Sequence, residues 1–69
     1  METAPITEQQ IRARVREAIE RSSVRAVAKA IKLAQDATVR LAAGMHVQAG
    51  TILVAREHLA NLDALPSTR

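Results

Sequence analysis

The chain contains no cysteine and no aromatic residue. Without cysteine, neither a disulfide framework nor a thiolate metal site is available to stabilise the fold. Without phenylalanine, tyrosine and tryptophan, the core has to be built from isoleucine, valine, leucine, alanine and methionine. The same absence removes the stacking platforms on which most single-stranded DNA and RNA binders depend. Duplex DNA therefore remains open as a ligand, whereas looped RNA is disfavoured.

Other absences bear on membranes and on catalysis. No window of the sequence approaches transmembrane length, and the N-terminus lacks the charged-then-apolar order of a signal peptide, so we expect a cytoplasmic protein. Gly44 and Gly50, the only glycines, are too few for a phosphate-binding loop. His46 and His58 have no clustered carboxylates with which to form a metal site. Since no nucleophile and base can be paired either, we expect no enzyme, no cofactor and no small-molecule ligand.

A chain of 69 residues supports one small domain with one core. We expect residues 1–6 to form a disordered lead-in, residues 7–65 the domain, and residues 66–69 a tail after the helix-ending Pro66. The predicted fold class is all-α, a compact four-helix domain that contains a helix-turn-helix.

The first helix is predicted to run from Thr7 to about Arg21. Thr7 and Gln10 have the spacing of a capping box. The apolar stripe that follows consists of Ile11, Val15, Ala18 and Ile19. Its outer side carries both signs of charge, which favours a solvated face over a DNA-contacting one; this side comprises Arg12, Arg14, Arg16, Glu17 and Glu20.

Two helices joined by a tight turn are predicted between residues 23 and 44, with Ser23 as the first N-cap and Gly44 as the left-handed end of the second. The stripe of the first is Val24, Val27, Ala28 and Ile31. The stripe of the second is Ala37, Thr38, Leu41, Ala42 and Met45. The three residues between them are too short for a flexible loop, so the helices must cross steeply, as in a helix-turn-helix.

The outer face of the second of these helices is unusual for a solvated surface. Asp36, Val39, Arg40 and Ala43 share this face, and Gln35 lies at its leading edge. Such a face suits the DNA major groove, where arginine pairs with guanine, glutamine pairs with adenine and small apolar groups touch the thymine methyl. The predicted base-reading residues are Gln35, Asp36, Val39 and Arg40. The alternatives are an ordinary surface helix with an Asp36–Arg40 ion pair, or a protein-contacting face.

This region resembles the helix-turn-helix of lambda-repressor-like DNA-binding domains, the fold of Cro/C1-type and LacI-type regulators. The resemblance rests on Val27, Ala28, Ile31, Leu33, Leu41, Ala42, Ala43 and Gly44. It implies that the helix from Gln35 is a recognition helix and that the helix before it crosses the DNA backbone. Three residues depart from the family pattern: Lys32 replaces the usual turn glycine, Ala34 a frequent serine cap, and Thr38 a valine or isoleucine.

Positive charge is concentrated in this part of the chain. Residues 21–56 contain six basic residues and one acid, within a total net charge of +3. Such a concentration is typical of a phosphate-binding footprint, although basic residues can also merely solubilise a small domain. Because Arg25, Lys29 and Lys32 line one side of the helix before the turn, we expect them to contact the DNA backbone.

A last helix is predicted from about Gln48 to Leu62, with a core stripe of Ile52, Ala55, Leu59 and Leu62. Gln48 and Thr51, in its opening turn, and His46, in the link before it, complete the predicted backbone contacts. His58 is expected to be an exposed helical residue. Leu53 and Val54 are surplus to the stripe and predict a homodimer contact, unless one of them packs inward against the first helix.

The sequence therefore predicts a DNA-binding transcriptional regulator, in its simplest form a small homodimeric repressor that acts on double-stranded DNA in the nucleoid. Two alternatives stay open. One is a helical adaptor that keeps the fold without reading DNA, which Lys32 in the turn and Asp36 on the outer face would favour. The other is a nucleoid-type protein that binds DNA without sequence preference.

Overall fold

The structure, a computed structural model, describes residues 6–65 and is all-α. Its five helices are α1 (Glu8–Arg21), α2 (Val24–Ile31), α3 (Gln35–Ala42), α4 (Ala49–Glu57) and α5 (Leu59–Asp63). No strand occurs within residues 6–65. None of the helices in this range has the length and apolar character needed to cross a membrane.

α1 and α2 form the centre of the fold, because each of them contacts all four other helices. α1 begins with the predicted capping box: the Thr7 hydroxyl accepts from the Gln10 backbone N–H, and the Gln10 side chain accepts from the Thr7 N–H. Ser23 caps α2, as predicted, by accepting from the Ala26 N–H. The buried core is entirely aliphatic apart from Thr38 and comprises Ile11, Val15, Ala18, Val27, Ala28, Ile31, Leu41, Ala55, Leu59 and Leu62.

The connection between α2 and α3 is a left-handed turn at Lys32, which has φ 60° and ψ 42°. The Leu33 N–H then donates to the Ala28 carbonyl over 3.0 Å, which is the six-residue (6→1) bond of a Schellman ending. Leu33 packs against the core and so fixes the turn from the inside. Lys32 is the only non-glycine residue in the described part of the chain with a positive φ.

α3 ends in the same way at Gly44, whose φ of 81° confirms the predicted left-handed conformation. The Met45 N–H donates to the Arg40 carbonyl over 2.9 Å and closes the Schellman ending. The prediction that Met45 continues the core stripe is wrong, since this residue is 54% exposed. The reason is that the helical period stops at Ala42, and the reversal at Gly44 directs the following residue away from the core.

The predicted helix from Gln48 to Leu62 is two helices. His58 interrupts it with φ −111° and ψ 16°, and its backbone N–H donates to the Val54 and Ala55 carbonyls over 3.2 Å. The break allows the short α5 to contact both α1 and α2, which bury Leu59 and Leu62. His58 itself is partly buried, with Nδ1 2.9 Å from the Val54 carbonyl oxygen. The prediction of an exposed helical histidine is therefore wrong.

Three helices have a C-terminal carbonyl that is bonded by a side chain from another helix. Arg12 Nη1 donates to the Leu41 carbonyl at the end of α3 over 2.9 Å, and Arg21 Nη2 donates to the Leu62 carbonyl of α5 over 2.8 Å. Asn61 Nδ2 donates to the Ala30 carbonyl of α2 over 2.8 Å. The Leu41 and Leu62 carbonyls also accept from the Gly44 and Leu65 backbone N–H groups, so Arg12 and Arg21 each add a further bond there. All three side-chain bonds join elements that are distant in sequence.

The predicted lead-in and tail lie mainly outside the described residues. Ile6, which we assigned to the lead-in, and Leu65, at the other end of the predicted domain, both pack against the core.

We expect Lys32→Gly to raise the free energy of unfolding by about 1 kcal/mol. A left-handed conformation costs a non-glycine residue roughly 1–2 kcal/mol, and the larger freedom of glycine in the unfolded chain offsets part of the gain. Denaturant unfolding followed by circular dichroism measures the change. Lys32→Ala, which removes the same side chain but keeps Cβ, should show no comparable gain, and a Lys32→Gly protein less stable than wild type would contradict the assignment.

We expect Arg12→Met to lower the free energy of unfolding by about 1–2 kcal/mol, because a charged donor to a helix-end carbonyl is lost while the aliphatic stem is kept. The Arg12 side chain is only 16% exposed, so solvent replaces the bond poorly. Glu8→Gln tests the neighbouring ion pair, which joins Arg12 to a carboxylate that is 54% exposed, and should cost less. Arg16→Met on the same helix is the matched control; an equal loss in both arginine variants would refute a specific role for Arg12.

Candidate nucleic-acid interface

α3 has a closed first turn and is bonded to α1 at its end, and its outer face is exposed. At its start, the backbone N–H and Oγ1 of the buried Thr38 both donate to the Ala34 carbonyl, over 3.0 and 2.9 Å. The threonine hydroxyl therefore has a partner within the turn, which explains how a polar residue fits at a core position. At its end, Arg12 bonds the Leu41 carbonyl. The Thr38 bonds lie within α3 and its N-cap, whereas the Arg12 bond joins the end of α3 to α1.

All four predicted base-reading residues are exposed on α3. Arg40 and Asp36 form the ion pair foreseen as the ordinary alternative, but the distance from Nη2 to Oδ2 is 3.8 Å. The two side chains are 59% and 90% exposed, so the attraction is weak and screened by solvent. Val39 is 46% exposed. Arg40 is therefore free to change partner at little cost.

The exposed side of α3 borders a shallow groove that is completed by the start of α4. We call this the α3–α4 groove; its volume is about 500 Å³. It brings together two of the predicted base-reading residues, Asp36 and Arg40, with three of the predicted backbone contacts, His46, Gln48 and Thr51. The complete lining is Ala34, Asp36, Ala37, Arg40, His46, Val47, Gln48 and Thr51.

Both helices that border this groove begin without a side-chain cap. The N-cap residue of α3 is Ala34 and that of α4 is Gln48, and neither side chain accepts a bond from the first turn. Each first turn therefore leaves backbone N–H groups without a side-chain acceptor, at the positive end of a helix dipole. These groups add to the favourable environment that Arg40 offers to a negatively charged partner.

Arg25, Lys29 and Lys32, the predicted backbone contacts of α2, are exposed but do not line the α3–α4 groove. Within residues 6–65, none of their side chains has a hydrogen bond or ion pair. The same holds for Arg16 and Arg56. These cations are available to an external anion because no internal partner neutralises them.

Three other arginines have hydrogen-bond partners inside the domain, unlike these unpaired cations. Arg12 and Arg21 bond helix-end carbonyls, and Arg14 donates to both carboxylate oxygens of Asp63 over 2.9 and 3.0 Å. Arg21 belongs to the basic stretch of residues 21–56, so one of the six basic side chains there already has a partner inside the domain. Sequence spacing gave no signal for these bonds, since each joins residues at least 29 positions apart.

A second groove lies on the other side of α3, against α1. We call it the α1–α3 groove; it has a volume of about 230 Å³ and is lined by Gln9, Arg12, Ala13, Arg16, Ala42, Ala43 and Gly44. Neither Gln9 nor Arg16 was among the predicted contacts. The sequence indicated only that this side of α1 mixes positive and negative residues.

The predicted dimer residues differ from each other. Leu53 is 53% exposed on α4, whereas Val54 is partly buried. The exposed residues one turn earlier, Ala49 and Gly50, are small and leave the leucine side chain accessible. The exposed apolar surface of α4 is thus centred on Leu53.

Comparisons of the chain with protein-family models, with curated proteins and with solved structures found no match.

Proposed function

We propose that the protein is a sequence-specific duplex DNA-binding transcriptional regulator in which α2, the turn at Lys32 and α3 form a helix-turn-helix. The observation that carries the proposal is the α3–α4 groove, in which Arg40 of a firmly held helix lies beside the uncapped start of α4. An arginine available for base edges and N–H groups available for phosphate are the two kinds of contact that duplex recognition needs.

α3 is the proposed recognition helix. The major groove is about 12 Å wide and admits a helix whose diameter with side chains is about 10–12 Å. Arg40 would donate to guanine O6 and N7 after leaving its weak pair with Asp36, and Asp36 would then accept from a cytosine amino group. Gln35 suits adenine, and the half-exposed Val39 suits a thymine methyl.

The backbone contacts are assigned to two groups of residues. His46, Gln48, Thr51 and the free N–H groups at the start of α4 would bind one phosphate strand beside the α3–α4 groove. Arg25, Lys29 and Lys32, which have no partner within residues 6–65, would add sequence-independent attraction. Occupation of a promoter is the simplest mode of action, and it makes the protein a repressor.

A second candidate function is a protein-interaction module, and one observation favours it. Three large apolar side chains of the described chain, Val39, Met45 and Leu53, are about half exposed. Such residues on a small domain mark a protein contact as readily as a DNA contact. The two functions differ in the role of Arg40. A DNA-binding regulator needs this arginine for affinity to DNA, whereas an adaptor does not.

The test is fluorescence anisotropy of dye-labelled random and genomic-upstream duplexes, titrated with protein at several salt concentrations. We expect binding that weakens steeply with salt, with a slope that corresponds to roughly 4–8 phosphate contacts per dimer. Arg40→Ala should cost about 1–3 kcal/mol on a preferred sequence only, whereas Lys29→Ala should weaken all duplexes alike.

Arg56→Ala is the matched control for this experiment. Arg56 is also an exposed cation without a partner in residues 6–65, but it lies in the last turn of α4, away from the groove. Its loss should change affinity little. If no duplex binds at low salt and high micromolar protein, the regulator proposal fails. Equal affinity for all duplexes, unaffected by the Arg40 substitution, would instead identify a non-specific DNA binder.

We further propose that the protein forms a homodimer through the surface centred on Leu53. Leu53→Asp should shift the mass measured by sedimentation velocity from dimer to monomer, since a carboxylate would be buried at the contact. The fold should persist, because the side chain is already 53% exposed. Val39→Asp, an equally exposed apolar position on α3, is the control. A monomeric wild-type protein at high micromolar concentration would refute the dimer.

A further inference from the structure

α3 stands between two grooves, and they lie on opposite flanks of its exposed face. At about 100° per residue, Asp36, Ala37 and Arg40 lie on the flank next to α4, whereas Ala42 lies on the flank next to α1. Val39 lies between them, and Ala43 also lines the α1–α3 groove. The helix therefore protrudes as a ridge, with the start of α4 on one side and α1 on the other.

A helix in the major groove meets a sugar-phosphate strand on each side. Since the groove is about 12 Å wide and a helix with its side chains is about 10–12 Å across, both strands lie close to the elements that flank the helix. On the α4 side, the residues already assigned can bind phosphate. On the opposite side, the elements next to α3 have to supply a cation if the second strand is to be held as well.

α1 supplies that cation in Arg16. Two arginines one turn apart line the α1–α3 groove, but they differ in their bonds. Arg12 is occupied, because its guanidinium donates both to Glu8 and to the Leu41 carbonyl. Arg16 is exposed and has no hydrogen bond or ion pair in residues 6–65. Gln9, on the same wall of the groove, is likewise exposed and adds an amide donor.

The bonds of Arg12 also remove two negative influences from this groove. The Glu8 carboxylate is paired with Arg12, and the Leu41 carbonyl accepts from both Arg12 and the Gly44 N–H. The C-terminal end of α3 is otherwise the negative end of its dipole and would disfavour phosphate. Arg16 itself has no side-chain hydrogen bond or ion pair in residues 6–65, so its positive charge is available to an external anion.

We propose that Arg16, assisted by Gln9, binds the phosphate backbone of duplex DNA on the flank of α3 opposite to α4. This inference rests on the proposed DNA-binding function and deepens it: the two strands that border the major groove are held by different helices, α4 on one side and α1 on the other. It reverses the expectation that this side of α1 is only solvated.

The test measures the affinity of Arg16→Ala for the random and the preferred duplexes over a range of salt concentrations. Losing one phosphate contact per subunit should weaken binding to every duplex by roughly 3- to 10-fold near 0.1 M salt. It should also reduce the slope of log affinity against log salt by about 1 per subunit. Arg16→Lys should recover most of the affinity because it keeps the charge, and Gln9→Glu should weaken binding by adding an opposing charge.

Arg56→Ala is again the control, because it removes one exposed charge from the last turn of α4, and this residue lines neither groove. An equal effect of Arg16→Ala and Arg56→Ala would show that only net charge matters and would overturn the proposal. Wild-type binding that is lost with Arg40→Ala or Lys29→Ala but unchanged with Arg16→Ala would overturn this inference alone. Absence of wild-type binding would overturn it together with the proposed function. Thermal unfolding of each variant verifies that the fold is retained.

Discussion

The fold depends on bonds that side chains of one helix make to the carbonyl end of another. A domain of five short helices has many carbonyls without an intrahelical partner, and each is costly if it is shielded from water without a bond. Arg12, Arg21 and Asn61 each donate to one such carbonyl, and two of these carbonyls, at Leu41 and Leu62, also accept from backbone N–H groups. Since these bonds connect α1 to α3, α1 to α5 and α5 to α2, they fix the relative positions of helices that the aliphatic core alone would specify only loosely.

These bonds also decide which charges remain for function. An arginine that caps a helix end is part of the scaffold, and one that has no internal partner is available to a ligand. Arg12 and Arg16, one turn apart on α1, show the difference. The core has a similar effect on apolar residues. Its side chains are aliphatic apart from Thr38, whereas Val39, Met45 and Leu53 are left at the surface.

The sequence predicted the local features of the fold well. Caps at Thr7 and Ser23, the left-handed glycine at Gly44 and the stripe of α1 depend on residues within a few positions of each other, and the structure confirms them. The stripe of α2 is confirmed at Val27, Ala28 and Ile31, whereas Val24 is only partly buried. The sequence did not predict the break at His58 or the exposure of Met45. At both places the apolar spacing continues, but the helical backbone conformation ends.

The candidate site was predicted in part for the same reason. Helical spacing sufficed to place Asp36 and Arg40 on one exposed face of α3. It could not show that His46, Gln48 and Thr51 line the same groove, since that depends on how the chain returns after Gly44. The α1–α3 groove could not be predicted at all. Its two walls are separated by some 26 to 35 positions in the sequence, and no local pattern links them.

Lys32 combines two demands that oppose each other. Its backbone occupies a conformation that favours glycine, while its ammonium is one of the unpartnered cations of the α2 face. Glycine would be the most stable residue at this position. A lysine needed only for its charge would be more stable at a position with negative φ. Under the proposed function, Lys32 lowers the stability of the domain and raises its affinity for DNA. Selection for thermal stability would therefore favour glycine at this position, at the cost of one DNA contact.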